Sequence, residues 1–217
     1  AYDFILNILE HMKLNKNFTY LNNQNIQNIS ITDNNISKII TDDHEILSEK
    51  YIVTPGSYTE NFTDKIKVTL PVQPLKGYSF NHKTLNLKKC IIDHDSKIVY
   101  TPLNNSTRIS GLYDFAGFNS DISNKRLKFI KRNINSLIKT DDNIESYSDH
   151  WCGFRPLTSD KLPIIGNSKK YSNLYYNIGH ANLGFTLSTG SSEALINSLD
   201  QGEDVIPKSF HAKRFNI

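Results

Sequence analysis

Between Lys67 and Gly117 the chain reads as one strand after another, and its periodicity changes on both sides of that run. "KVTLPVQPLKGYSF", "KKCIIDH", "KIVYTPL" and "TRISGLYDFAG" are short apolar segments separated by clusters of Asn, Asp and Ser, the pattern of an antiparallel sheet. Ahead of it, Phe4, Ile5, Ile8, Leu9 and Met12 recur at helical spacing, which predicts an amphipathic helix over 3–13. "NFTYLNNQNIQNISI" and "NISKIITDDHEIL" alternate as strands, with "TDDH" as the turn of a hairpin. "YIVTPG" is an apolar run stopped by Pro-Gly, as in a buried parallel strand whose end lets backbone approach a ligand. Behind the sheet, Leu127, Ile130, Ile134, Leu137 and Ile138 form the stripe of a helix over 124–139, with Ser123 as its cap. A strand "NLYYNIG", a helix over 184–199 and a polar tail complete the chain. The fold class expected is α/β with an inserted antiparallel sheet (α+β). Residues 1–65 and 150–217 are expected to form one discontinuous layer, and 66–149 the inserted lobe.

Composition closes off several functions. A chain of 217 residues with 38% hydrophobic and 22% charged residues is an ordinary globular one. A net charge of +3, with the basic residues spread along the chain, argues against a nucleic-acid footprint. Cys90 and Cys152 form no C-x-x-C pair, so neither a disulfide framework nor a metal site is expected, and a reducing compartment, the cytoplasm, fits. No apolar run approaches the roughly 18 residues of a membrane span, and "AYDFILNILEHMK" is not a signal peptide. Lys125, Arg126, Lys128, Lys131 and Arg132 crowd one helix. They are either a solvated face or a peripheral contact with the anionic inner surface of the plasma membrane.

Two segments carry chemistry. In "WCGFRPLTSDKLPIIG", Arg155 stands before a proline, which narrows the freedom of its backbone. A guanidinium held in this way grips a carboxylate through two parallel hydrogen bonds, or else pairs with an internal acid. In "NIGHANLGFTLSTGSS", a strand ends at Gly179 and a helix begins near Leu183 or Gly184. Its free N–H groups favour an electron-rich group. Gly179 and Gly184 leave room for a flat ligand, and Gly190, Ser191 and Ser192 suit close packing on a sheet. The alternative is a plain strand–turn–helix connection with a structural His180.

Together, "W-x-G-x-R-P-x-T-x-D-x-x-P-I-I-G" and "N-x-G-H-x-x-x-G-x-T" resemble the C-terminal signature of FAD-dependent amine and amino-acid oxidoreductases. That family includes D-amino-acid oxidases, glycine and sarcosine oxidases and bacterial D-amino-acid dehydrogenases. "YIVTPGSYT", "LPVQPLKGYSF" and "SFHAKRF" extend the resemblance, and "PLKGYS" with "FRPLTSD" point to the D-amino-acid dehydrogenase branch. The resemblance implies a two-domain Rossmann-type flavoprotein of which this is the C-terminal portion, with 1–65 and 150–217 in the FAD-binding domain and 66–149 binding substrate. It implies FAD as cofactor and a small D-amino acid as substrate, oxidised to a 2-keto acid and ammonia. Arg155 would hold the substrate carboxylate, with Tyr78 and Tyr100 as its wall. Gly56, Gly179, His180, Ala181, Asn182, Leu183, Gly184 and Thr186 would face the flavin. The family's G-x-G-x-x-G turn does not occur in this sequence. A second chain carrying the N-terminal FAD-binding half is therefore an expected partner. A glycine-, sarcosine- or opine-oxidase-like subunit and a non-catalytic remnant of a split gene are the other readings.

Overall fold

A computed structural model describes residues 2–85, 87–137 and 147–217. The first helix, α1 (Tyr2–Lys13), lies where the apolar spacing puts it, yet it buries none of its residues. Strands β1 (Ile26–Thr32) and β2 (Asn35–Thr41) pair antiparallel across Asp33 and Asn34. Both turn residues have left-handed φ, 49° and 57°, the twist a two-residue hairpin requires. "TDDH" is the next turn, leading to β3 (Glu45–Ile46) on the other side of β2. Residues 17–25, expected as strand, are not: Asn23 takes a left-handed φ of 53°, and Asn25 is held by Asp42 through its backbone N–H and its side-chain amide. A backbone N–H held by a side chain is lost to a strand ladder.

Strand β4 (Tyr51–Val53) runs parallel to a strand more than a hundred residues later. In chain order after it come α2 (Thr59–Thr63), β5 (Val72–His82), β6 (Ile91–Asp93), β7 (Ile98–Leu103) and β8 (Ser106–Asp114). Then follow α3 (Asn124–Leu137), β9 (Tyr147–Thr158), β10 (Ile164–Asn167), β11 (Leu174–Ile178) and α4 (Gly184–Gln201). The parallel partner of β4 is β11, and β10 pairs antiparallel on its far side, giving the order β10-β11-β4. Asn173, just before β11, ties this sheet to the hairpin. Its side chain accepts from Ile36 N at 2.9 Å and donates to Ile36 O at 2.8 Å.

The five-stranded sheet has the order β6-β7-β8-β5-β9 and is antiparallel throughout. One face packs on α3, around Tyr78, Phe80, Ile98, Tyr100, Ile109, Ile130 and Ile134. Ser123 caps α3 by accepting from Arg126 N at 3.4 Å. Of the predicted helical stripe, Ile138 lies outside the described residues. The chain divides into two compact units, Ala1–Pro71 with Asp160–Ile217, and Val72–Ser159. The boundaries thus fall later than 65/66 and 149/150. The reason for the second is β9, which pairs with β5 from Val72↔Thr158 to His82↔Tyr147 and so keeps Trp151 and Arg155 in the inserted sheet.

Ile36 is 1% exposed, so removing its partner leaves two backbone groups unsatisfied out of water. Asn173→Ala is expected to destabilise the protein by about 1–3 kcal/mol, measured by urea denaturation, whereas the exposed Ser37→Ala should be near neutral.

Candidate functional site

Parallel pairing puts the carboxyl ends of β4 and β11 at the same edge of their sheet, where α/β proteins place ligands. Beyond β4 comes Gly56, with φ +60° and open space where a Cβ would point. Beyond β11 comes Gly179, with φ +79°, followed by His180 and by Ala181 at φ +49°. A single 3-10 turn, Ala181–Leu183, leads into α4, and neither it nor α4 has a side-chain cap. The first N–H groups of this run therefore have no side-chain acceptor, and the positive end of the helix dipole is bare. His180 has its Nε2 buried without a hydrogen-bond partner, and burial holds its pKa below the usual histidine range. It is neutral at pH 7 and offers one donor and one acceptor.

His180, Leu183 and Thr186 also line a cavity of about 500 Å3 together with Pro163, Leu187 and Phe210. The strand-and-tail wall of this cavity is fixed by a bidentate pair. Arg214 donates to Asp160 from Nε at 2.7 Å and from Nη2 at 3.2 Å. Asp160 of the "TSD" motif thus serves the closing segment. Of the three small residues expected to pack on the sheet, Ser191 does so, accepting from Asn177. Gly190 instead has open space beside it and lines the cavity, and Ser192 is exposed.

Arg155 stands in β9 opposite Leu75, and Gly153 stands opposite Gly77. A Cβ on Gly77 would lie 1.7 Å from Arg155 Nη1, and one on Gly153 would lie 2.2 Å from the Trp151 ring. The paired glycines therefore give the guanidinium and the indole room to lie flat on the sheet. Tyr113 covers the guanidinium from the other side, its ring centroid 5.1 Å from Arg155 Cζ. A register shift opposite Lys76–Tyr78, with Leu112 at φ +60°, is the bulge that re-aims Tyr113. Among the described residues no acid pairs with Arg155, and its Nη1 is buried without a hydrogen-bond partner.

Tyr78 and Tyr100, expected beside the substrate, are both on the opposite face of the sheet. Tyr78 stands across from Cys152 and points into the α3 core, and Tyr100 shares that core at 0% exposure. Tyr78 donates to Asp114 at 2.8 Å; burial, then that bond, pushes its pKa up to about 12. Burial, then the charge of Asp93, does the same to Tyr100. Both are packing residues here. Gly77 and Tyr113 take their place beside Arg155. The glycine inside "PLKGYS" was the one local signal for this, since a strand-interior glycine marks close approach.

The sequence profile described as FAD dependent oxidoreductase (DAO) matches residues 12–197. The chain belongs to this family. A D-amino acid dehydrogenase of Vibrio vulnificus is 32% identical over 189 residues, covering 85% of this chain and 45% of that protein. One from Agrobacterium fabrum is 32% identical over 181 residues, 82% of this chain and 43% of that protein. Among solved structures, L-proline dehydrogenase from P. horikoshii superposes with a TM-score of 0.76 at 16% identity, over 89% of this chain and 54% of that one. Glycine oxidase from Geobacillus kaustophilus gives 0.72 at 20% identity, over 87% and 52%. At these identities the structures establish the fold. The chain spans about half the length of the relatives it matches. Among the described residues no helix is long and apolar enough to cross a membrane, and no cluster of side chains suits a metal ion.

FAD is the cofactor of the family, and the edge formed by Gly56 and Gly179–Gly184 fits its ring. The uncapped N–H groups, the unpartnered Nε2 of His180 and the open flank of Gly56 suit a flat, electron-rich heterocycle. The pyrophosphate-binding glycine turn does not occur in the sequence.

Two measurements follow from this geometry. Gly77→Ala is expected to push the Arg155 guanidinium off the sheet and weaken binding of a simple carboxylate such as benzoate roughly tenfold or more. Trp151 is the only tryptophan, so its fluorescence reports both the displacement and the titration. His180 has a folded pKa below the ordinary 6.5, so its contribution to stability is full above that pH and drains as pH falls below it. The melting temperature should drop between pH 7.5 and 5.5, and drop less in His180→Gln. His82 and His150 are held low by burial in the same way and keep the rest of the dependence.

Proposed function

We propose that this chain supplies the flavin-ring edge and the carboxylate anchor of an FAD-dependent oxidation of D-amino acids to 2-keto acids and ammonia. The observation that carries the reading is Arg155, seated over Gly77 and under Tyr113 with a buried nitrogen that no protein group satisfies. A planar, positively charged fork held by packing alone is suited to a small carboxylate. The D-amino acid dehydrogenases among the relatives supply the choice of substrate. On this reading Ala1–Pro71 with Asp160–Ile217 is the FAD-binding part, and Val72–Ser159 binds substrate.

FAD, where bound, would supply the two-electron acceptor for oxidation of the substrate's carbon–nitrogen bond, after which water would complete the conversion to keto acid and ammonia. The chain itself contributes position and field. Arg155 fixes the carboxylate through two parallel bonds and so limits the rotations left to the α-carbon. Tyr113 excludes water from one side of the guanidinium, which strengthens its hold on an anion. The N–H groups that open α4 lay positive potential along the ring edge, and neutral His180 adds a hydrogen bond without a competing charge. Peripheral contact with an anionic membrane belongs to the same reading. Lys125, Lys128 and Arg132 of α3 surround Phe129, which is 44% exposed, while Arg126 is taken by Asp114.

The test is a flavin-loaded assembly in which D-amino acids reduce an artificial acceptor dye. Arg155→Lys is expected to raise KM by roughly tenfold or more, because a point charge cannot reproduce two parallel bonds, and to leave the visible flavin spectrum unchanged. Unaltered steady-state kinetics would remove Arg155 from the role, and an assembly that holds FAD yet oxidises no D-amino acid would remove the activity.

A further inference from the structure

We infer that the indole of Trp151 is the side-chain subsite for the acid whose carboxylate Arg155 holds, and that it selects uncharged, apolar side chains of the size of a phenyl or isobutyl group. The inference rests on the reading given under the proposed function, and all of its residues lie within the unit Val72–Ser159.

Trp151 stands inside β9 yet is 59% exposed, so a large aromatic plane lies open on the sheet. Register puts it next to the anchor. Gly77 and Gly153 are cross-strand partners, and such partners carry their first side-chain atoms about 5 Å apart. The guanidinium of Arg155 occupies the first of these two places and the benzo ring of the indole the second, 1.7 and 2.2 Å from the respective Cβ positions. Cation and aromatic plane are therefore immediate neighbours, both lying flat. The guanidinium has the sheet beneath it and the Tyr113 ring above it. A carboxylate accordingly meets its edge, and the carbons beyond the carboxylate pass over the indole.

The surroundings set the chemistry of the occupant. Trp151 pairs with Ser79, Ser79 with Ser110 and Ser110 with Val99, a row across the sheet without a charged side chain. Ser79 is 4% exposed, so the indole is the surface that the row presents beside Arg155. Charges return one step along the strands, where Asn81 pairs with Arg108 and donates to Asp149 at 2.8 Å. Two residues of strand span about 7 Å, which limits the neutral stretch to a few carbons or one ring. A cationic side chain is repelled there by the guanidinium. An anionic one finds Arg155 already neutralised by the first carboxylate and the negative face of the indole beneath it. An apolar group meets neither penalty and takes the indole surface out of water.

The experiment titrates the chain with acetate, 3-phenylpropionate and succinate, which copy glycine, phenylalanine and aspartate without the amine, and follows binding by ligand-observed NMR. The expected result is that 3-phenylpropionate binds roughly tenfold or more tighter than acetate. Succinate gains nothing over acetate beyond the statistical factor of its two carboxylates. Trp151→Ala removes the preference for 3-phenylpropionate, Trp151→Phe keeps most of it, and Arg155→Lys weakens both acids. Equal binding of acetate and 3-phenylpropionate, or a preference that survives Trp151→Ala, overturns the subsite and leaves the anchor in place. Loss of acetate binding in both Trp151→Ala and Trp151→Phe makes the indole a support for Arg155 and overturns the subsite as well. If the chain binds none of the three acids, the carboxylate anchor of the proposed function falls, and the subsite falls with it.

Discussion

The parallel pairing of β4 with β11 is the constraint on which the rest depends. It closes a loop of more than a hundred residues for three pairs of residues, Leu174↔Tyr51 to Tyr176↔Val53. Closing so long a loop costs conformational entropy that three pairs alone do not offset. The surrounding packing makes up the difference: Asn173 bonded to both backbone groups of Ile36, Tyr51 and Val53 buried, and Leu174 and Tyr176 at 0% exposure. The return is positional. Two chain ends with left-handed glycines, Gly56 and Gly179, reach the same sheet edge, and the uncapped start of α4 follows directly.

The other half of the chemistry depends on an absence of atoms. Gly77 and Gly153 face each other across β5 and β9, and the space their missing side chains leave is filled by a guanidinium and an indole. Arginine has many rotamers to lose on binding. Seated between a glycine and the Tyr113 ring, Arg155 has lost much of that freedom before any ligand arrives, which favours affinity for a small anion.

Much of the fold was legible because local signals and tertiary structure agree: the "TDDH" turn, the apolar run of β4, the Ser123 cap. What was not legible depended on register. Whether Tyr78 faces Arg155 or the α3 core turns on a shift of one residue, since side chains alternate with period two. The pairing of Tyr78 with Cys152 decides it. Tyr113 was hidden for the same reason, because a bulge sets its face and no spacing in "GLYDF" announces one. The same pairing keeps "WCGFRPLT" in the inserted sheet while "DKLPIIG" leaves it, although the two read as one motif. Asn-rich 17–25 misled in the other direction, its alternation being real while side chains hold its backbone, as Asp42 holds Asn25 N.

Val72 is paired with Thr158, the first residue of the inserted sheet with almost its last. The insert therefore leaves and re-enters its host through two adjacent strands, and the host sees a short gap whatever lies between. An insertion with neighbouring ends adds little closure cost as it lengthens, shortens or is replaced. Evolution can then rework the surface carrying Arg155, Tyr113 and Trp151 as a cassette without disturbing the β4–β11 pairing.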